Sequence, residues 1–156
     1  MNFQIKALPE AAFAHFFAMT DAELADHQAC RQIVTATPGT PCRVSMADAE
    51  IGETVILLNH AHQPEKGPYQ ATYAIFVRQG AKQAILAINE VPQVIRSRLI
   101  SVRLFDSNHM MVDAKVAQGD AVSALIATAF DNPAIAYIHL HNAKPGCFAA
   151  SVHRAD

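Results

Sequence analysis

Apolar residues recur along this chain with two periods, and each switch between them marks a change of element. After Pro9, Phe13, Phe16 and Phe17 fall at the i, i+3, i+4 spacing of one helix face, so the pattern predicts a first helix over about 9 to 18 with all three rings in the core. Thr20 with Glu23 three residues later is a capping box, opening a short second helix that carries Leu24 inward and ends near His27. Thr37-Pro38-Gly39-Thr40-Pro41 is turn material, and Cys42-Arg43-Val44-Ser45-Met46 then alternates as a strand, with Cys42, Val44 and Met46 on one face and Arg43 and Ser45 on the other. Thr54 to Asn59 is β-branched and apolar, as in a strand covered on both sides. His60 to Pro68 is polar and rich in proline and glycine, which predicts a surface loop leading to a strand over Ala71 to Arg78.

The second half is more regular. Pro92 starts a helical turn through Arg96, and Leu99 to Phe105 alternates, with Ile100, Val102 and Leu104 on one side and Ser101 and Arg103 on the other. Asp106-Ser107-Asn108 makes a turn, and Met110 to Val116 returns as the second arm of a hairpin, with the two methionines read as core. Gly119-Asp120 opens a last helix whose stripe is Val122, Leu125, Ile126, Ala129 and Phe130, with Asp120 as the cap. Asn132-Pro133 stops it.

The remaining residues form a predicted hairpin. Ile135, Tyr137, His139 and His141 project from one face of its first strand, and Cys147, Ala149, Ser151 and His153 alternate with Phe148, Ala150 and Val152 in its second. A five-residue loop from Asn142 to Gly146 would set His141 against Cys147, His139 against Ala149 and Tyr137 against Ser151, large side chains facing small ones. One polar face would then carry Tyr137, His139, His141, Cys147, Ser151 and His153. A slip of one residue would part His141 from Cys147.

Composition narrows the classes. With 156 residues, 51% of them hydrophobic, the chain is expected to bury one core as a single domain over residues 1–156. A formal net charge of -2 offers no field for nucleic acid or an anionic membrane, and neither partner is expected. The first residues lack the pattern of an export signal, no stretch approaches roughly 18 unbroken apolar residues, and three widely spaced cysteines fit a reducing compartment, so a soluble cytoplasmic protein is expected. Cys42 and Cys30 read as buried thiols. No glycine-rich phosphate loop is present, and no motif names a cofactor.

Three chemistries suit the hairpin face. A histidine beside a cysteine can take its proton, which makes Cys147 a candidate nucleophile and His141 its base. An H-x-H pair on a strand places two imidazoles together, so His139 and His141, completed by His60, His62 or Cys147, could ligate a metal; His60 and His62, in a loop, read otherwise as solvated. Arg43 and Arg103 could fork a small anion while His139 and His141 donate to it, with Arg78, Arg96 or Arg98 as further cations and Asp106, Asp113 or Glu90 as protein counter-charges. The contrasting reading is a non-enzymatic structural or interaction module, in which these groups form a satisfied polar network and an exposed sheet edge makes a homodimer.

Several segments together resemble a known family. Pro38-Gly39-Thr40-Pro41-Cys42-Arg43-Val44-Ser45, Gly52-Glu53 with Leu57-Leu58 and His62, Ala74-Ile75-Phe76-Val77-Arg78, Arg96 to Arg103, and His139-Leu140-His141-Asn142-Ala143 with Gly146-Cys147 look like the bacterial domain of unknown function numbered 1203. The resemblance spans nearly the whole chain in order. It implies a single-domain, uncharacterised bacterial protein and carries no catalytic residue across. Tyr73 departs from the pattern, standing where a small residue or histidine is expected before the A-I-F-V-R run. The expected fold is α+β: a mainly antiparallel, curved sheet with helices near the N-terminus and one helix before the C-terminal β-hairpin.

Overall fold

A computed structural model describes residues 1–156, and the α+β class with antiparallel pairing holds. In chain order the strands are β1 (Phe3–Lys6), β2 (Ala29–Ile33), β3 (Pro41–Cys42), β4 (Ala47–Asp48), β5 (Thr54–Gln63), β6 (Ala71–Arg78), β7 (Leu99–Phe105), β8 (Met111–Gln118), β9 (Tyr137–Asn142) and β10 (Phe148–Arg154). The helices are α1 (Asp21–Asp26), α2 (Gln93–Arg96) and α3 (Val122–Ala129). The strands are shared between two five-stranded sheets, ordered β1-β10-β9-β7-β8 and β2-β5-β6-β3-β4. Two compact units follow: residues 1–6, 62–71 and 85–156 in the first, and 7–61 with 72–84 in the second. No helix is long and apolar enough to cross a membrane.

The first unit is an antiparallel sheet throughout, and its alternation sorts side chains as period two requires. Ile100, Val102, Leu104, Ile138, Leu140, Val152, Phe3 and Ile5 are all buried. Val122 and Ile126 of α3, which packs on β7, and Phe130 at its C-terminal cap are each 0% exposed. α3 begins without a side-chain cap: Asp120, the expected cap, lies in a 3-10 turn (Gly119–Ala121) that leads into the helix. At its far end, Arg154 donates to the carbonyls of Phe130, Asn132 and Ile135 and lies over the Phe130 ring, so a cation covers carbonyls that helical bonding leaves unsatisfied. Met110 lies outside β8 and is 39% exposed, so it is not core.

In the second unit Phe13, Leu24, Cys42, Val44, Ile56, Leu58, Ile75 and Val77 form one core. The capping box forms as the sequence predicts, Glu23 N donating to Thr20 Oγ1 and Thr20 N to Glu23 Oε2. The predicted first helix does not. Residues 10–12 and 14–18 are two 3-10 turns, closed by i to i+3 bonds such as Phe16 N to Phe13 O, and only Phe13 of the three rings is fully buried. Nor do residues 42–46 run as a strand. Met46 N returns to Cys42 O at 3.0 Å, and Met46 takes a φ of 54°, so the chain turns immediately after β3. Arg43, expected on a polar face, is therefore carried inward to 2% exposure. Cys30, read as buried, lies on β2 and is exposed.

β5 runs four residues past its apolar stretch, taking His60, Ala61, His62 and Gln63 into the strand where a loop was expected. Ladder hydrogen bonds and one-sided cover are decided by neighbours, which polar side chains do not reveal.

Candidate functional site

The terminal hairpin forms, but in a different register from the one that size matching predicts. β9 and β10 pair Phe148 with His141, Ala150 with Leu140, Ser151 with His139 and Val152 with Ile138, with a bulge at Ala149. The ladder is shifted by one residue on the turn side, where Asn142 joins the strand and shortens the loop, and the extra residue shifts it by one more beyond the bulge, relative to the predicted pairing. Phe148 takes the place expected for Cys147. Asn142 N donates to Cys147 O at 2.9 Å, and Asn142 Nδ2 lies 3.5 Å from Cys147 Sγ, so Cys147 lies across from Asn142, on the opposite face from His141. The expected Cys147–His141 nucleophile pair is thereby undone. His141 Nδ1 is 2.9 Å from the carbonyl of Gly146, which can only accept, so Nδ1 carries a proton and donates to it.

β7 extends this face with residues far away in sequence. Its register against β9 sets Ser101 opposite His141, Arg103 opposite His139 and Phe105 opposite Tyr137. Ser101 and Arg103 are on the side that alternation predicts, and Arg103 is a direct cross-strand neighbour of His139. His62 enters from the end of β5. Its ring stacks on Phe148 at 5.6 Å between centroids and lies 4.9 Å from His141 and 6.4 Å from His139.

His139 is the centre of the cluster. Its ring lies 5.1 Å from Phe105, 5.2 Å from Tyr137 and 5.2 Å from Phe148, and it is 6% exposed. Burial among rings, followed by the positive potential of His141, His62, His153 and Arg103, pushes its pKa down from 6.5 to about 3. It is a neutral imidazole at neutral pH. Its Nδ1 is buried without a hydrogen-bond partner, an uncommon state for a polar atom.

Arg103 is half-buried, and its Nε donates to Ser101 Oγ at 3.2 Å. No carboxylate pairs with it, and burial alone lowers its pKa. The candidate counter-charges are engaged elsewhere: Asp106 Oδ1 accepts from Asn108 N and Met110 N, Asp113 Oδ1 from Ala114 N, and Glu90 Oε2 from Ala87 N.

The other predicted residues are not gathered here. Arg43 belongs to the second unit, where its guanidinium donates to the Pro41 carbonyl. Arg78 contacts Glu53 at 3.5 Å, Arg98 donates to Val94 O, and His60, also in the second unit, meets the Phe13 ring. His62, His139 and His141 are ring neighbours, yet no group of three or more His, Cys, Asp or Glu side chains is arranged to hold a metal ion.

Sequence reading missed Phe105, Phe148, Gln63, Glu65 and His109. Phe105 and Phe148 stand in the sequence only as members of alternating strands. Tyr137 is the fixed point for the rest: Gln63 Nε2 donates to its hydroxyl at 2.8 Å, and His109 Nδ1 lies 2.9 Å from the same oxygen. The signal that could have pointed to His109 is its place beside Asp106-Ser107-Asn108, since a tight turn can aim a side chain back along its own hairpin.

In comparisons with known proteins, the family model described as "Protein of unknown function (DUF1203)" matches residues 39–154. No curated protein and no solved structure matches the chain.

Proposed function

We propose, for a chain that belongs to the DUF1203 family of proteins of unknown function, that the face built by β7, β9 and β10 binds a small anionic molecule, with Arg103 as its charge partner. One observation carries this reading. Arg103 is a half-buried guanidinium with no carboxylate beside it, and its cross-strand neighbour is a neutral imidazole that three aromatic rings surround. Removing a charge from water without a partner is unfavourable, and an incoming carboxylate or phosphate would relieve it with charge-assisted hydrogen bonds worth about 1.5–3 kcal/mol each. Neutral His139 offers one donor and one acceptor, and Phe105, Phe148 and Tyr137 provide flat apolar cover. These groups favour a ligand with an acidic head and a planar or apolar body.

Interaction through a sheet edge is the alternative, and β8 is where it would act. That edge strand is exposed along most of its length, with Val112 at 48% and Val116 at 64%. Against it, Asp113 folds back onto the amide of Ala114, a local closure of the kind that protects sheet edges from pairing.

Thermal unfolding in phosphate, succinate or benzoate, each against chloride at equal ionic strength, tests the ligand reading. At about ten times its dissociation constant, a bound anion should raise the midpoint by about 4 °C. Arg103→Leu should lose that response while melting no lower than the wild type in chloride. The reading fails if no anion differs from chloride, or if Arg103→Leu responds as the wild type does.

A further inference from the structure

At the Tyr137 end of the same face, three segments of the first unit bring together a carboxylate, an imidazole and a phenol. Gln63 and Glu65 come from the end of β5 and the residues that follow it. His109 comes from the β7–β8 turn. Tyr137 opens β9, its ring stacked on Phe105 at 5.2 Å and 7°, and 5.2 Å from His139.

The hydrogen bonds constrain where the phenol's proton can go. Gln63 Nε2 occupies one lone pair of the hydroxyl oxygen at 2.8 Å. The 2.9 Å contact to His109 Nδ1 can then run either way. With a lone pair on Nδ1, the tyrosine donates its proton to the ring. With a proton on Nδ1, the ring donates instead, and the phenol's own proton is released to another acceptor. On the far side of the ring, His109 Nε2 lies 3.9 Å from Glu65 Oε2, a half-exposed carboxylate.

The position of His109 is built into its turn. Its backbone is left-handed, at a φ of 62°, a conformation non-glycine residues rarely adopt. Asp106 holds it there, its carbonyl accepting from His109 N and its Oδ1 from Asn108 N and Met110 N. The result is an imidazole with one nitrogen on Tyr137 and the other toward Glu65 at the surface.

We propose that Tyr137 is the proton-transfer group of the ligand face, and that His109, with Glu65 beside it, exchanges Tyr137's proton with solvent. The assignment rests on the ligand-binding reading above. Tyr137 O–H gives its proton to a basic atom of the bound molecule; His109, starting as its Nδ1–H tautomer, takes a proton from solvent at Nε2 as it passes the Nδ1 proton to the phenolate, and ends as the Nε2–H tautomer that accepts from Tyr137 O–H; the reverse sequence takes a proton away. The charged and titratable groups around the pair are Glu65, Asp106 from the turn, and His139 and His153 beside the Tyr137 ring.

The test needs no ligand, so it succeeds or fails independently of the anion experiment. The chain has three tyrosines, and Tyr69→Phe and Tyr73→Phe identify the Tyr137 signal in protein labelled with carbon-13 at tyrosine Cζ. Between pH 5 and 8.5, the Tyr137 Cζ resonance should move in a step whose midpoint equals that of the His109 ring. His109→Gln keeps a polar partner without a titrating group, and should remove the step. A Tyr137 resonance that stays flat across this range means that the two groups do not exchange donor and acceptor roles. That result, or a step that persists in His109→Gln, overturns the proposal.

Discussion

Replacing His139 by phenylalanine should make this protein more resistant to acid. In the unfolded chain an imidazole titrates near 6.5, whereas His139 in the fold titrates at about 3, first because burial penalises the charged form and then because His141, His62, His153 and Arg103 repel it. Since the folded value is the lower one, the unfolded state binds the proton first. The stability contributed by the neutral ring is complete above pH 6.5. It falls by about 1.4 kcal/mol per unit of pH below that, and levels off only near the folded value. At pH 5 the loss from this one residue is about 2 kcal/mol, a large share of the roughly 5–15 kcal/mol that holds an ordinary domain folded. Phenylalanine fits among Phe105, Tyr137 and Phe148 and cannot be protonated. It also removes the unpartnered Nδ1, so the variant should be at least as stable as the wild type at pH 7.5. The chain has no tryptophan, so urea unfolding followed by far-ultraviolet circular dichroism at pH 7.5 and pH 5 is the suitable assay. The wild type should lose about 2 kcal/mol more than His139→Phe between the two conditions. Equal losses in the two proteins would refute the burial argument.

Two further outcomes follow from packing. Gly119 has no room for a side chain, since a Cβ there would sit 2.1 Å from the Ile95 carbonyl oxygen and 2.4 Å from that of Arg96. Gly119→Ala should therefore force backbone apart and lower the urea midpoint by several kcal/mol equivalent, about 3 or more, and an unchanged midpoint would contradict the close approach. Under a mild alkylating reagent near neutral pH, Cys30 should label well before Cys42 and Cys147 as followed by mass spectrometry of peptides; fastest labelling at Cys147 would restore the nucleophile reading.

The histidine pair and Arg103 were legible as candidates because period-two alternation is local and survives in the fold: His139 and His141 share a face, and Ser101 and Arg103 lie opposite Ile100, Val102 and Leu104. The Thr20–Glu23 capping box was legible for the same reason, since all its atoms lie within one turn. Cys147 was misplaced because the loop spans residues 143–146 and pairs Asn142 with Cys147, and whether Asn142 belongs to the turn or to the strand is decided by that pairing and not by its own chemistry. His60 to Gln63 were misread as a loop because strand pairing there is supplied by neighbours. Glu65, His109 and Tyr137 come together only through three separate segments.

What the sequence by itself determined, then, is the set of elements whose cause is short-ranged: the paired alternation of β7 and β9, the hairpin that closes the chain, the capped helix α1 and the apolar stripe of α3. Tertiary structure alone decided the chemistry. It set Arg103 against His139, turned Cys147 to the other face, brought His62 onto Phe148, and surrounded His139 with enough rings to hold it neutral. The physical reason is that desolvation and cross-strand pairing act between residues brought together by folding, whereas periodicity and capping act within a few bonds of the residue that expresses them.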